Sequence, residues 1–180
     1  MIYILLFPFN FFMNIFLIGM MGSGKTSVGL LLSKYFNTTF YDLDACIEKR
    51  FDLTINEIFS EYGEDGFRKV ESSILQETNN FHDSIISTGG GVVITDSNRE
   101  FLKDQRVYFL NNSTKRLYER ATKKREQRPL LKDMTFSEFS DIYKNRMNLY
   151  QECANITLNT EDKSIYEIVE EISNHEKFSF

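Results

Sequence analysis

Residues 19–26, GMMGSGKT, form a complete phosphate loop of the pattern G-x-x-x-x-G-K-[ST]. Its glycines allow successive backbone N–H groups to turn toward the phosphates of a nucleotide, and the following helix presents its positive end to them. In this motif, the amine of Lys25 reaches the β- and γ-phosphates and the hydroxyl of Thr26 binds Mg²⁺. The sequence therefore predicts a nucleoside triphosphate with magnesium as one ligand. The candidate nucleotide-binding residues are Gly22, Ser23, Gly24, Lys25, Thr26 and Ser27.

The residues on either side of the loop favour the strand-loop-helix unit in which this motif works. Residues 14–18 (NIFLI) are a short apolar run typical of a buried strand. After the loop, apolar side chains recur with the period of a helix at Val28, Leu31, Leu32, Tyr35 and Phe36. A glycine-rich turn without a ligand is the alternative interpretation, and this setting argues against it.

The overall charge argues against nucleic acid as the main partner. The 180 residues carry a formal net charge of −5 and a pI near 5.2, so no basic stripe is available to cover a phosphate backbone. An anionic small molecule must then be held by a few placed cations.

Cys46 and Cys153 are far apart and lack a zinc-binding spacing, which favours reduced thiols in a cytoplasmic protein. The length suits a single domain.

Residues 1–13 (MIYILLFPFNFFM) are almost wholly apolar, and no charged residue precedes Lys25. A signal peptide or a membrane span is the alternative, but the segment has no basic n-region and is shorter than the roughly 20 residues that a span needs. We predict that residues 1–13 are an N-terminal extension of the folded domain, and that no membrane is involved. Within it, we predict that Met13 is the natural start and that residues 1–12 lie upstream of the natural protein. The intact mass of the native protein tests this, and a chain beginning at Met1 contradicts it.

The rest of the chain alternates short β runs with amphipathic helices, the pattern of a parallel α/β sheet covered on both faces. The further predicted strands are 39–41, 84–87, 106–110 and 155–158. Three helix starts carry a capping box, in which a hydroxyl residue is followed three positions later by glutamate. These pairs are Thr54 with Glu57, Thr135 with Glu138, and Ser164 with Glu167. The first of these helix starts is followed by Ile55, Ile58, Phe59 and Tyr62, and the last is followed by Ile165, Ile168, Val169 and Ile172. Both sets have the helical spacing of a buried stripe.

The segment 122–134 is rich in lysine and arginine and lies between two predicted helices. A charge run is ordinarily a solvated face, and that alternative stays open here. The position favours a mobile lid that closes over the phosphates and brings Arg128 to them.

Two groups of residues follow predicted strands and should therefore meet at the carboxyl edge of the sheet. Asp42 and Asp44 end the second strand, and one carboxylate can hold magnesium while the other accepts a hydroxyl proton. Gly89, Gly90 and Gly91 follow the third strand, and such a costly run of glycine favours close approach of the backbone to a ligand. A helix cap at Asp42 and a plain tight turn at the glycines are the alternatives.

Two further arginines lie on predicted helices. Arg68 and Glu71 are i, i+3 neighbours, so the glutamate can orient the guanidinium. Arg146 precedes Tyr150 by one turn on another helix. Either arginine alone would be interpreted as a surface residue. Two converging guanidiniums, however, can bind a carboxylate or a phosphate through bidentate hydrogen bonds.

Taken together, these motifs resemble the shikimate kinase family from about residue 14 to residue 173. The motifs, in the family's order, are the phosphate loop, Asp42-Leu43-Asp44, Phe67-Arg68-x-x-Glu71, Thr88-Gly89-Gly90-Gly91, Arg128-Pro129-Leu130-Leu131 and Arg146-x-x-x-Tyr150. The resemblance implies a three-layer α/β/α phosphate-loop kinase with a five-stranded parallel sheet in the order 2-3-1-4-5. It also implies a single kinase domain over residues 14–180, a small lid at about 122–134 and substrate-binding helices at about 45–80.

The resemblance further implies ATP-dependent phosphorylation of the 3-hydroxyl of shikimate, in chorismate and aromatic amino-acid biosynthesis, by a monomeric cytoplasmic enzyme that uses Mg²⁺. The implied catalytic residues are Lys25, Asp44 and Arg128, the last also contacting ATP. The implied shikimate-binding residues are Asp44, Arg68, Gly89, Gly90, Gly91 and Arg146, and the implied magnesium residues are Thr26 and Asp42. One position departs from the pattern, because Ala121, beside Arg120, stands where many members have an arginine that contacts adenine.

Two competing hypotheses remain. One is another small-molecule kinase of the same fold, acting on gluconate or a nucleoside monophosphate; the pair of Arg68 and Arg146 argues against it, since it suits a carboxylate on a small ring. The other is a nucleotide-binding regulator without catalysis. A guanine-reading Asn-Lys-x-Asp motif does not occur in the chain, and Asp42, Asp44 and Arg128 are all retained.

Overall fold

The computed structural model describes residues 14–123 and 134–177 of the chain. The predicted N-terminal extension and most of the predicted lid, including Arg128, lie outside the described residues. Within them, the strands are β1 (Ile15–Ile18), β2 (Thr39–Asp42), β3 (Ser84–Ser87), β4 (Arg106–Asn111) and β5 (Ile156–Asn159). The five predicted strands are therefore confirmed, with ends that differ by one residue at most.

All five strands run parallel in one sheet, in the order β2-β3-β1-β4-β5. β1 lies at the centre, where Ile15 is in register with Ile85 of β3 and with Arg106 of β4. The order 2-3-1-4-5 is confirmed. It brings the carboxyl ends of β1, β2 and β3 side by side, so the phosphate loop, Asp42 and the glycine run emerge at one edge.

The described residues contain seven helices: α1 (Lys25–Phe36), α2 (Leu43–Phe51), α3 (Ile55–Glu77), α4 (Asp96–Lys103), α5 (Thr114–Thr122), α6 (Phe136–Cys153) and α7 (Ile165–Lys177). The first six connect the strands, and α7 follows β5. Short 3-10 turns follow α3 at Thr78–Asn80 and the glycine run at Val92–Ile94. Of the described helices, none is long and apolar enough to cross a membrane.

The sheet separates two apolar cores, which is the three-layer α/β/α arrangement. Along β1, Phe16 and Ile18 point into the core shared with α2 to α6, whereas Ile15 and Leu17 point into the core shared with α1 and α7. All four side chains are fully buried. This uninterrupted apolar run is what a central parallel strand requires, because both of its faces are covered.

The three predicted capping boxes form. The hydroxyl of Thr54 accepts from the N–H of Glu57 while the Glu57 carboxylate accepts from the N–H of Thr54, and Thr135 with Glu138 repeats the pattern. Ser164 and Glu167 make the same reciprocal pair of bonds. Each box satisfies orphan donors at a helix start, which fixes where the helix begins.

The predicted buried stripe on α3 is only partly correct. Ile58 is fully buried, but Tyr62 is 47% exposed, and Ile55 and Phe59 line a pocket. In addition, Gly63 interrupts α3 with φ 68° and ψ −178°, a backbone conformation open essentially to glycine alone. The predicted stripe on α7 has a similar exception at its first residue, because Ile165 is 42% exposed, and Tyr35 on α1 is exposed as well.

Candidate active site

A pocket of about 420 Å³ opens at the carboxyl edge of the sheet. Nearly all the candidate residues that lie within the described chain border it. The predicted residues on its wall are Gly22, Gly24, Lys25, Thr26, Ser27, Asp42, Asp44, Arg68, Gly89, Gly90, Gly91 and Arg146. Ser23, within the loop, is buried, and its hydroxyl lies 3.5 Å from the Lys25 amine. Five separate stretches of sequence therefore converge on one cavity.

The phosphate loop has the backbone shape that its glycines allow. Gly22 and Gly24 have φ of 86° and 94°, in the left-handed region that favours glycine. A Cβ on Gly22 would lie 2.3 Å from the carbonyl oxygen of Leu117, so α5 packs directly against the loop. The Lys25 amine donates to the carbonyls of Gly19 (2.7 Å) and Met20 (3.2 Å). Gly24 directly precedes α1 and has no side chain that could cap the helix. The first N–H groups of α1 are therefore left for an anion bound at the pocket end of the helix.

Thr26 and Asp42 lie beside each other, although one starts a helix and the other ends a strand. The Thr26 hydroxyl donates to Asp42 Oδ2 at 2.7 Å. Asp42 Oδ1 accepts from the N–H of Asp44 at 3.2 Å, so the helix-cap alternative for Asp42 is also correct. A hydroxyl and a carboxylate at this spacing are hard oxygen donors, and they fit a magnesium ion that keeps most of its waters and the phosphates as ligands.

Asp44 lies in the first turn of α2, at the floor of the pocket between two other carboxylates. Burial, followed by the charges of Asp42 and Glu71, raises the pKa of Asp44 to about 7, while Lys25 acts in the opposite direction. A Cβ on Gly89 would lie 2.9 Å from Asp44 Oδ1 and 2.6 Å from Glu71 Oε1, so the glycine is needed for this approach. The floor of the pocket thus holds a proton acceptor.

Arg68 is held in place on α3 by its neighbours. Its Nη1 donates to Glu71 Oε2 at 2.5 Å, and its guanidinium carbon lies 5.1 Å from the centroid of the Phe67 ring. Glu71 is only 2% exposed, and burial raises its pKa while Arg68 lowers it. A Cβ on Gly91 would lie 2.4 Å from the guanidinium nitrogens. The predicted orientation of Arg68 by Glu71 is confirmed.

Arg146 reaches the same glycine run from α6. Its Nη1 donates to the carbonyl oxygen of Gly90 at 3.2 Å. The charge of Arg146 also lowers the pKa of Glu71, as that of Arg68 does, so both guanidiniums act on one buried carboxylate. Two cations beside the same glycine turn, each from a different helix, can bind a single small anion.

Several residues of the pocket wall were not predicted as site residues. Glu48 follows Asp44 by one helical turn, so its place on the same face is readable from the spacing. Its carboxylate accepts from the N–H of Ile55 at 3.0 Å and joins α2 to α3. Ile55 and Phe59 form an apolar wall that the sequence assigns to a core stripe. Arg120 borders the pocket, whereas the neighbouring Ala121 is fully buried.

The family model for shikimate kinase matches residues 21–176 of this chain. The chain belongs to the shikimate kinase family. A family member from Dictyoglomus turgidum is 41% identical over 159 residues, which is 86% of this chain and 92% of that protein. The predicted family resemblance is confirmed. The chain is therefore an ATP-dependent kinase of the phosphate-loop class.

Solved structures of the family have the same fold. The shikimate kinase of Acinetobacter baumannii, in complex with shikimate, has a TM-score of 0.87 at 34% identity, over 92% of this chain and 93% of that one. A gluconokinase from Sinorhizobium meliloti has a TM-score of 0.54 at 16% identity, over 94% of this chain and 99% of its own. At 16% identity, the similarity to the gluconokinase shows a shared fold alone.

Proposed function

We propose that this chain transfers the γ-phosphoryl group of ATP to the 3-hydroxyl of shikimate, giving shikimate 3-phosphate and ADP. The observation that carries the proposal is the meeting of two guanidiniums and a carboxylate on one glycine turn, in the same pocket as a phosphate loop. Membership of the shikimate kinase family supports the same conclusion. The activity belongs to chorismate and aromatic amino-acid biosynthesis.

The acceptor half of the site consists of the glycine turn and the groups around it. Arg68 and Arg146 grip the carboxylate of shikimate, since each reaches the turn from a different helix. Gly89, Gly90 and Gly91 let the ring approach the backbone. Asp44, on the floor of the pocket, binds the hydroxyl that is to be phosphorylated.

The donor half consists of residues 22–27 and the lid arginine. Lys25 exchanges its contacts with the loop carbonyls for the β- and γ-phosphates, because a charged phosphate oxygen is a stronger acceptor than a carbonyl. Arg128 belongs to the sequence segment 122–134, and we assign it to the transferred phosphoryl group. The lid and the helices at about 45–80 are the parts of the 14–180 kinase domain that close over the substrates.

The chemistry follows from this arrangement. The shikimate hydroxyl oxygen forms a bond to the γ-phosphorus as the bond from that phosphorus to the bridging oxygen of ADP breaks. Asp44 accepts the hydroxyl proton, while Lys25 and Arg128 neutralise the charge on the equatorial oxygens. Phosphoryl transfer depends mainly on such positioning and charge stabilisation, which these three side chains provide together with the magnesium residues Thr26 and Asp42.

Magnesium is the ion that this donor set fits, held by the hydroxyl of Thr26 and, directly or through water, by the carboxylate of Asp42. When bound, it neutralises charge on the β- and γ-phosphates. We expect chelation with EDTA to abolish turnover and added Mg²⁺ to restore it. Thr26→Val should raise the Mg²⁺ concentration needed for half-maximal rate by about tenfold, a loss of one ligand contact of roughly 1.4 kcal/mol. Thr39→Val, at an exposed position of β2, is the matched control, and an equal effect in both variants would refute the assignment.

A coupled assay of ADP release with a panel of acceptors tests the proposed reaction. We expect turnover that depends on shikimate, and none with gluconate or a nucleoside monophosphate. Turnover with one of those two and none with shikimate would assign the chain to another kinase activity. The absence of turnover with every acceptor would favour a regulator without catalysis.

We also propose that the protein acts as a cytoplasmic monomer. The two cysteines support the compartment, since Cys153 is buried and neither Cys46 nor Cys153 forms a disulfide. Sedimentation of the purified protein with ATP and shikimate tests the assembly state, and a stable dimer would contradict it.

A further inference from the structure

Tyr150 stands behind the wall of the pocket and has no part in the mechanism described above. It lies one helical turn after Arg146 on α6 and is fully buried. Its ring stacks on Phe109 of β4, with centroids 4.9 Å apart and planes at 20°. Its hydroxyl donates to the carbonyl oxygen of Gly90 at 2.5 Å. A buried phenol is therefore attached to the backbone of the acceptor site.

The carbonyl of Gly90 receives two donors from the same helix. Arg146 donates to it at 3.2 Å, and Tyr150 donates to it at the shorter distance. A carbonyl oxygen has two lone pairs, so these donors use its acceptor capacity. Because the peptide unit is planar and trans, a fixed carbonyl of Gly90 also fixes the N–H of Gly91.

The same peptide unit touches both halves of the active site. A Cβ on Gly90 would lie 3.2 Å from the backbone nitrogen of Met21 in the phosphate loop, and a Cβ on Gly91 would lie 2.4 Å from the Arg68 guanidinium. The Tyr150 hydroxyl is also 3.8 Å from the sulfur of Met20. A small rotation of the peptide unit between Gly90 and Gly91 would therefore shift the guanidiniums of Arg68 and Arg146 relative to the phosphate loop.

We propose that Tyr150 is a positioning residue for the acceptor substrate, whose hydroxyl holds the Gly90 carbonyl and, through it, the guanidinium of Arg146. The inference rests on the proposed function, in which Arg146 binds the carboxylate. Without the Tyr150 hydroxyl, Arg146 is the remaining side-chain donor to the Gly90 carbonyl among the described residues. Its guanidinium is then drawn toward that carbonyl and away from the carboxylate of the substrate. Burial also raises the pKa of Tyr150, so the group stays a donor at any working pH.

The variant Tyr150→Phe tests the proposal. We expect the KM for shikimate to rise about five- to tenfold, the factor that one lost hydrogen bond corresponds to, while kcat and the KM for ATP stay within about twofold. The matched control is Tyr143→Phe, because Tyr143 is buried on the same helix and donates instead to Asn111 Oδ1 at 2.5 Å. The control should lose similar thermal stability and leave the KM for shikimate unchanged. An unchanged KM in Tyr150→Phe, or an equal rise in both variants, overturns the proposal.

A double-mutant cycle with Arg146→Ala separates positioning from a general loss of structure. If Tyr150 acts through Arg146, Tyr150→Phe should change the KM for shikimate by less than about twofold in the Arg146→Ala background. Effects of Tyr150→Phe that are equally large in both backgrounds overturn the proposal.

Hydrogen exchange of residues 88–92 gives a readout that needs no substrate. We expect faster exchange in Tyr150→Phe than in the wild type or in Tyr143→Phe, and equal exchange in all three overturns the proposal. Failure of the proposed function is a separate result, since the wild type would then not phosphorylate shikimate. If the wild type uses another carboxylate acceptor, the KM comparison is made with that acceptor.

Discussion

Asp44→Asn should lower kcat for shikimate phosphorylation by about 10²- to 10⁴-fold, the range of a lost general base, and leave the affinity for ATP within about twofold. The reason is that the amide keeps the size of the side chain and loses the proton acceptor at the floor of the pocket. The backbone N–H of residue 44 still donates to Asp42 Oδ1, so the start of α2 is preserved. Steady-state ADP release and ATP binding by calorimetry measure the two quantities.

The matched control for Asp44→Asn is Asp52→Asn, the same chemical change at the other end of α2. Asp52 is exposed and has φ of 52°, a left-handed conformation that asparagine accepts readily. We expect its kcat to stay within about twofold of the wild type. If Asp44→Asn retains more than about a tenth of the wild-type kcat, Asp44 is not the proton acceptor.

Arg68→Ala should raise the KM for shikimate by about 10- to 100-fold, because it removes a charge-assisted pair with the carboxylate worth roughly 1.5–3 kcal/mol. It also leaves Glu71, which is 2% exposed, without its ion-pair partner. We therefore expect the free energy of unfolding to fall by about 3–5 kcal/mol as well. Kinetics with varied shikimate and chemical denaturation measure the two effects.

A second substitution separates the two consequences of Arg68→Ala. In the double variant Arg68→Ala with Glu71→Gln, the buried charge is gone, so stability should recover while the KM for shikimate stays high. The control is Arg50→Ala, which breaks an exposed bidentate pair with Glu77 at 2.5 and 2.6 Å. Neither residue of that pair borders the pocket, and the pair is exposed to solvent, so its loss should change stability little and leave the KM for shikimate unchanged. A double variant that regains both stability and affinity would contradict the carboxylate grip.

Features of the fold that depend on neighbours in sequence were predictable from the chain. The strand Ser84–Ser87 and the capping boxes at Thr54 and Thr135 agree with the structure residue by residue. Each is decided by a few adjacent side chains. The strand order 2-3-1-4-5 is different, since it follows from crossovers between distant segments, and it came from the family resemblance alone.

The positions of site residues were predictable where a residue directly follows a predicted strand or belongs to a sequence motif. Asp42 and the glycine run follow parallel strands, so their meeting at one edge follows from topology. That Arg68 and Gly91 border one site was implied only by the family resemblance, because 22 residues, which include the end of α3 and β3, separate them in the sequence.

The apolar wall of the pocket could not be distinguished from the core by its spacing. Ile55 and Phe59 recur with the helical period of α3, as core residues do, and a ligand cavity presents the same apolar surroundings as a core. The break at Gly63 was also hidden, since a single glycine within an amphipathic pattern is compatible with an unbroken helix.

The close packing of the glycine run limits which parts of this enzyme can be redesigned. A side chain at Gly89 would strike Glu71 and Asp44, and one at Gly91 would strike Arg68, so any substitution there disturbs catalysis and anion binding together. Ile55 and Phe59 border the same cavity from a segment that ends at the Gly63 break. A library built to accept a bulkier ring should therefore vary those two apolar positions and keep all three glycines. Changes of acceptor shape can then accumulate on one wall while the transfer chemistry stays intact.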